Sequence, residues 1–238
     1  MHNRFSNVSL GWRLTPAVKK IIIACVVIWL IEVITVNWMG WTGMILHLSV
    51  VPERTLLGFE IWQPFTYMWL HGPRDFTHIL FNMLFLWMFG GSLEASWGSR
   101  AFWKFYIICG IGAGIAVALI GILVEPAMPT LGSSGAIYGL VAAFAIRFPE
   151  VRVYFFGLFP IKGKHFALIP IVYALADFAT RASGTSHVAH LAGLVIGAVL
   201  VMGWWRPSRV ALDIANWMRK RRLRKFRSID GDGPPYIH

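Results

Sequence analysis

At 238 residues, with 57% hydrophobic and 14% charged residues and a mean hydropathy of +0.61, the chain falls well short of the roughly 25% charge of a soluble domain, which excludes an ordinary water-soluble globule. The net charge of +11 is not spread over a face: nine basic residues follow Trp205, chiefly in Arg219-Lys220-Arg221-Arg222-Leu223-Arg224-Lys225. Without an aromatic-interleaved basic platform, that run reads as a cytoplasmic topology anchor attracting anionic lipid, and no nucleic-acid partner is expected.

Residues 1–20 lack a small-residue cleavage site, so the apolar run after Lys19-Lys20 reads as a retained first span and not a secretory signal. Six apolar segments follow in order: Ile21–Val36, His78–Ser92, Phe102–Val124, Ser134–Arg147, His165–Ala179 and His187–Trp205. Each approaches the roughly 20 residues of a membrane helix. The predicted fold is an all-α membrane protein: a six-helix transmembrane bundle over 21–205, a cytoplasmic segment over 1–20 and a basic cytoplasmic tail over 206–238. Cys25 and Cys109 stand alone in apolar stretches and read as small core hydrophobes.

Charge then orients the bundle. With both termini in the cytoplasm, 19 of the 22 Lys and Arg fall on the inner side, leaving only Arg54, Arg74 and Arg181 outside. The largest outer segment, from Asn37 to Thr77, carries Trp38, Trp41, Trp62, Phe65, Tyr67 and Trp69 with few charges. That composition suits a loop lying in the membrane interface. In this topology spans two, four and six start on the outer side, so His78, Ser134 and His190 share one depth. Span four, from Ser134 to Arg147, covers roughly 20 Å against a hydrocarbon core of roughly 30 Å. The connection from Glu125 to Ser133 is therefore expected to dip inward, where irregular backbone requires protein packing or a wet cavity.

Three groups of residues at that depth could do chemistry. Ser134 lies in Gly132-Ser133-Ser134-Gly135 at the head of span four. There it could be a helix N-cap, as could Ser133, or a nucleophile beside free N–H donors and the positive helix end. His187 and His190 share one face of span six, and a histidine inside a span is costly; no His-Glu-x-x-His or third metal ligand accompanies them. His78 and Asn82 form an i, i+4 donor pair heading span two, able either to tie helices together or to stabilise an oxyanion. Gly135 and Gly139 on span four and Gly193 and Gly197 on span six allow a close helix crossing that could bring Ser134 to His190.

His78-x-x-x-Asn82, Gly90-Gly91-Ser92-Leu93-Glu94 with Gly98-Ser99, Gly132-x-Ser134-Gly135 and Ala189-His190-x-x-Gly193-x-x-x-Gly197 occur in one order along the chain. Together they resemble the rhomboid family of intramembrane serine proteases, over about Trp62 to Gly197. The resemblance implies a bacterial-type enzyme, multi-pass in the inner (plasma) membrane, that cleaves transmembrane segments of other membrane proteins near the outer face. Ser134 would be the nucleophile and His190 the general base, working through an acyl-enzyme with no metal or nucleotide cofactor. His78, Asn82 and the Ser134 N–H would hold the oxyanion. Tyr138 would pack against the histidine, Gly132 and Gly135 would shape the turn, and Glu94 would help hold the interfacial loop.

Two departures from the family pattern stand out. Trp62 is followed by Gln63 where the family often has arginine, so the arginine anchor of the loop is missing or moved. His71 resembles the family's loop histidine but lies about two residues further than usual from His78. The rival readings are a catalytically inactive rhomboid-like protein that binds membrane clients, and a small transporter. The first usually lacks the serine or the histidine. The second would show repeats or a charged pathway, whereas only Glu32 lies clearly within a span.

Overall fold

The computed structural model describes residues 14–155, 159–166, 168–180, 186–204, 206, 208, 212 and 215–219. The N-terminal segment before residue 14, Arg181, Trp205 and the basic run beyond Arg219 lie outside the described residues. The chain divides into two units, Met1–Ala198 and Val199–His238. In the second, the described residues contain the end of a helix, a turn at Gly203 (φ +71°) and a helical stretch over 215–219.

Helix α1 (Pro16–Glu32) begins with proline at its first turn, where a missing N–H costs nothing, and runs on through a π-helical turn over Val33–Trp38. The chain then continues as short helices α2 (Gly43–Leu48), α3 (Pro52–Leu56) and α4 (Gln63–Thr66) and a 3₁₀ turn over Tyr67–Trp69. Helix α5 (Phe76–Phe85) is capped by Asp75, whose carboxylate accepts from the N–H of Thr77 at 3.0 Å and of His78 at 3.3 Å. It continues through a π turn over Leu86–Gly90 into α6 (Gly91–Trp97). Gly98, at φ +80°, reverses the chain into α7 (Ser99–Val124).

Helix α8 (Ser134–Arg147) is buried on all sides from Gly135 to Phe144, which makes it the central helix of the unit. A two-stranded antiparallel hairpin follows, β1 (Arg152–Phe155) and β2 (Phe159–Lys162), then α9 (Gly163–Phe166), α10 (Leu168–Thr180) and α11 (Ser186–Met202). The hairpin was not foreseen. Its aromatic and β-branched residues flank Gly157, a composition that favours strands over a continued helix.

Among the described residues, three helices are long and apolar enough to cross a membrane: Pro16–Trp38, Phe76–Trp97 and Ser99–Val124. Ser134–Arg147, Gly163–Ala176 and His187–Met202 are shorter apolar helices. The bounds expected for the fourth segment match α8. The first two segments extend further at both ends, because prolines, caps and π turns lengthen a helix beyond its apolar run.

The aromatic segment between α1 and α5, expected to lie in the membrane interface, also packs into the helices. Trp38, Trp41, Trp62 and Phe65 are exposed, but Tyr67 is buried. Its ring rests in a notch of α7: a Cβ added at Gly114 would lie 2.8 Å from the Tyr67 ring and 2.9 Å from the Pro64 Cα. The Tyr67 hydroxyl donates to the Gly110 carbonyl at 2.8 Å. Glycines on α7 thus let this segment dock backbone to backbone, a tertiary use of Tyr67 that amphipathic composition did not foretell.

Candidate active site

Ser133 occupies the N-cap position of α8, yet its hydroxyl does not cap the helix. It donates instead to His71 Nε2 at 3.1 Å, both side chains being fully buried. The donor assignment follows from the other ring nitrogen: His71 Nδ1 lies 3.2 Å from the Trp69 carbonyl, which can only accept, so Nδ1 carries the proton and Nε2 the lone pair. Burial, reinforced by the nearby His78, pushes the His71 imidazole down to about 3, so it is neutral. With neither serine capping, the first N–H groups of α8 keep their free donor capacity.

Ser134 opens α8 with its hydroxyl turned to α11, where His190 Nε2 lies 2.9 Å from Ser134 Oγ. The His190 ring is stacked on Tyr138, one turn along α8, with centroids 4.3 Å apart and planes inclined by 13°. The two helices meet this closely because glycine faces glycine. A Cβ at Gly193 would overlap the Gly135 carbonyl, and one at Gly197 would lie 2.5 Å from the Gly139 carbonyl oxygen.

The expected donor pair lies opposite. His78 Nδ1 is 3.0 Å from the His71 carbonyl, and Asn82 Nδ2 donates to the His78 carbonyl at 2.8 Å. Gly132, at φ +119°, brings the chain past His78: a Cβ there would sit 2.7 Å from His78 Nε2 and 3.9 Å from Ser134 Oγ. Its N–H donates to the Tyr67 carbonyl at 2.9 Å, which ties the turn to the segment between α1 and α5. Ser134, His190, His78 and Asn82 all line one cavity of about 700 Å³, whose walls include Phe81, Phe85, Ile169 and Tyr173. Among the described residues, no group of three or more His, Cys, Asp or Glu side chains converges as metal ligands would.

The role that the resemblance implies for Glu94 does not match its contacts. The Glu94 carboxylate accepts from the N–H of Ala17 at 2.8 Å, the N–H of Val18 at 3.0 Å and the Ser99 hydroxyl at 2.6 Å, and also from the Thr15 hydroxyl. It caps the start of α1 and ties it to the α6–α7 turn. The reason is geometric: about 19 residues of helix at 1.5 Å each separate Glu94 from Asp75 at the loop end of α5.

The loop is held by other residues. Gln63, fully buried, accepts through Oε1 from the Val51 N–H at 3.0 Å and the Thr55 hydroxyl at 2.5 Å, and donates through Nε2 to Glu60 at 2.6 Å. Arg54 reaches the same Glu60 carboxylate at 3.0 Å. The arginine missing at position 63 has a counterpart nine positions earlier in the chain. Burial raises the Glu60 carboxyl, but hydrogen bonds from Arg54 and His47 outweigh it and hold it below the usual glutamate range. Sequence reading singled out neither this cluster nor the His71–Ser133 bond; the available signals were Gln63 standing where arginine was expected and His71 resembling the family's loop histidine at an altered spacing.

The rhomboid domain family model matches residues 58–207. Rhomboid protein 1, mitochondrial, of Saccharomyces cerevisiae is 30% identical over 63% of this chain and 42% of its own length. Rhomboid protease GlpG of Salmonella paratyphi A is 28% identical over 81% of this chain and 64% of its own length, and GlpG of Salmonella typhi matches to the same extent. The chain thus spans less than two thirds of the length of these relatives. With more than half of its residues inside the matched domain and three helices able to cross a bilayer, the chain belongs to the rhomboid family and is an integral membrane protein.

Proposed function

We propose that this protein is an intramembrane serine endopeptidase that cleaves transmembrane segments of other membrane proteins with a Ser134–His190 dyad. The observation that carries the proposal is the 2.9 Å contact between Ser134 Oγ and His190 Nε2 in a cavity that His78 and Asn82 also line. A serine hydroxyl is a weak nucleophile until an adjacent base takes its proton. Here His190 Nε2 accepts that proton as Ser134 Oγ bonds to the scissile carbonyl carbon. The tetrahedral intermediate collapses as His190 returns the proton to the leaving amine, and the C–N bond breaks. Water then enters, loses a proton to His190 and attacks the acyl carbon; the ester C–O bond breaks as His190 returns that proton to Ser134 Oγ, releasing the carboxylic product and the free serine.

The oxyanion needs donors aimed at the site. The Ser134 N–H at the helix start and the second Asn82 Nδ2 hydrogen are neutral donors. His78 works differently. Its Nδ1 proton is committed to the His71 carbonyl, so Nε2 donates only when the ring is an imidazolium. A cation there would meet the developing negative charge directly.

The finer architecture belongs to the same proposal: six spans over 21–205, both termini in the cytoplasm, and a bacterial inner membrane as location. The 19 of 22 basic residues on one side support the orientation. The tail over 206–238 would rest on anionic lipid. The inactive client-binding alternative draws no support from a chain in which serine and histidine are both present and in contact.

The test is cleavage of a reporter transmembrane segment by the purified protein in liposomes. Ser134→Ala and His190→Ala should each abolish cleavage and fluorophosphonate labelling while leaving the thermal transition in place. Cleavage retained in Ser134→Ala would sink the assignment.

A further inference from the structure

Glu32 is an acidic side chain at the last position of α1, within the apolar stretch Pro16–Trp38, that the mechanism above does not use, and it is fully buried. A carboxyl within a span is costly and persists where a specific contact requires it. Its contact is with the segment between α1 and α5: Glu32 Oε2 accepts from the backbone N–H of His71 at 3.0 Å. One turn earlier, Trp29 Nε1 donates to the Gly72 carbonyl at 3.1 Å. Helix α1 therefore grips both ends of the His71-Gly72 dipeptide, which Gly72 bends through φ +75°.

Two bonds lead from this dipeptide into the site, one to each wall. The His71 carbonyl takes the Nδ1 proton of His78 at 3.0 Å, which sets both the tautomer and the aim of that ring. His71 Nε2 takes the Ser133 hydroxyl at 3.1 Å, which holds the residue before the nucleophile. We propose that Glu32 is a positioning residue for the reaction: through His71 it keeps His78 and Ser133 in the alignment that turnover needs. The inference rests on the protease reading above. What the His71 N–H requires is an acceptor, not a charge. Glu32→Gln therefore preserves the contact, whereas Glu32→Ala leaves a buried N–H unpaired and frees the dipeptide.

The experiment measures turnover of a transmembrane peptide substrate per site labelled at saturation by a fluorophosphonate, so that misfolded protein does not count. In Glu32→Ala, kcat per labelled site should fall about tenfold or more with KM little changed, as expected when reacting groups are misaligned but substrate binding is not. Glu32→Gln should stay close to the parent. A merely structural role would reduce the labelled fraction and leave kcat per labelled site intact; that result, or Gln as impaired as Ala, overturns the proposal. A parent protein that cleaves nothing would instead defeat the protease reading. The strap is then still read from the imidazole ¹⁵N shifts of His78. These should report the Nδ1–H tautomer in the parent and in Glu32→Gln, and a mixture in Glu32→Ala; an unchanged tautomer in Glu32→Ala overturns the inference.

Discussion

Gly132 joins the two halves of the site at the scale of one residue. Its φ of +119° is a conformation that side chains disfavour, and a methyl there would press on His78 Nε2 from 2.7 Å. Gly132→Ala should therefore displace His78 from the oxyanion position and lower kcat/KM about a hundredfold, measured on the reporter substrate with the thermal transition as control. Asn82→Ala removes a donor without adding bulk, so kcat should fall about a hundredfold with KM little changed. As candidates these residues were partly legible in the sequence, because polar side chains at the heads of apolar segments stand out, although a helix cap or a tie between helices would place the same residue types there. The choice between the two serines was not legible locally. It depends on which histidine each hydroxyl meets, 62 residues away for Ser133 and 56 for Ser134.

Between elements, close approach of α8 and α11 sets the distance between Ser134 and His190. A Cβ at Gly193 has no room against the Gly135 carbonyl, so Gly193→Val should push α11 outward at a cost of about 1–3 kcal/mol. The expected signature is a lowered thermal transition together with loss of fluorophosphonate labelling, since His190 moves with its helix. The segment between α1 and α5 depends on buried polar contacts of a different kind. Gln63→Ala strips the acceptor from the buried Val51 N–H, while the Thr55 hydroxyl keeps the Val51 carbonyl at 3.0 Å, and should cost about 1–3 kcal/mol for the N–H left unpaired, read as a lower midpoint in detergent unfolding. The glycine spacing announced the helix crossing, because a four-residue period places small residues on one face whatever the fold around them. The cluster of Gln63, Glu60 and Arg54 gave no such warning: its bonds form only after the loop folds back on itself.

For the whole molecule, the neutral state of His71 couples stability to pH. Its imidazole is held down at about 3 by burial and by His78, while an unfolded histidine titrates near 6.5. Between those values the unfolded chain binds the extra proton, so stability rises with pH and is lost as pH falls from about 6.5 towards 3, by at most about 1.4 kcal/mol per pH unit. Thermal transitions measured from pH 4 to 8 should show this acid-side loss, and His71→Gln should make it shallower. The sequence by itself determined that the chain belongs in a bilayer and that Ser134–Arg147 is a helix, whereas the proposed roles of one serine, two histidines and an asparagine came from the family resemblance. The first two need only composition, periodicity and local spacing. The tertiary structure decided which side chains touch: Ser134 with His190, Ser133 with His71, Glu94 with the start of α1, Glu32 with the segment between α1 and α5. Each of these contacts spans 39 to 79 residues of chain, and contacts at that separation arise from packing, which no local pattern encodes.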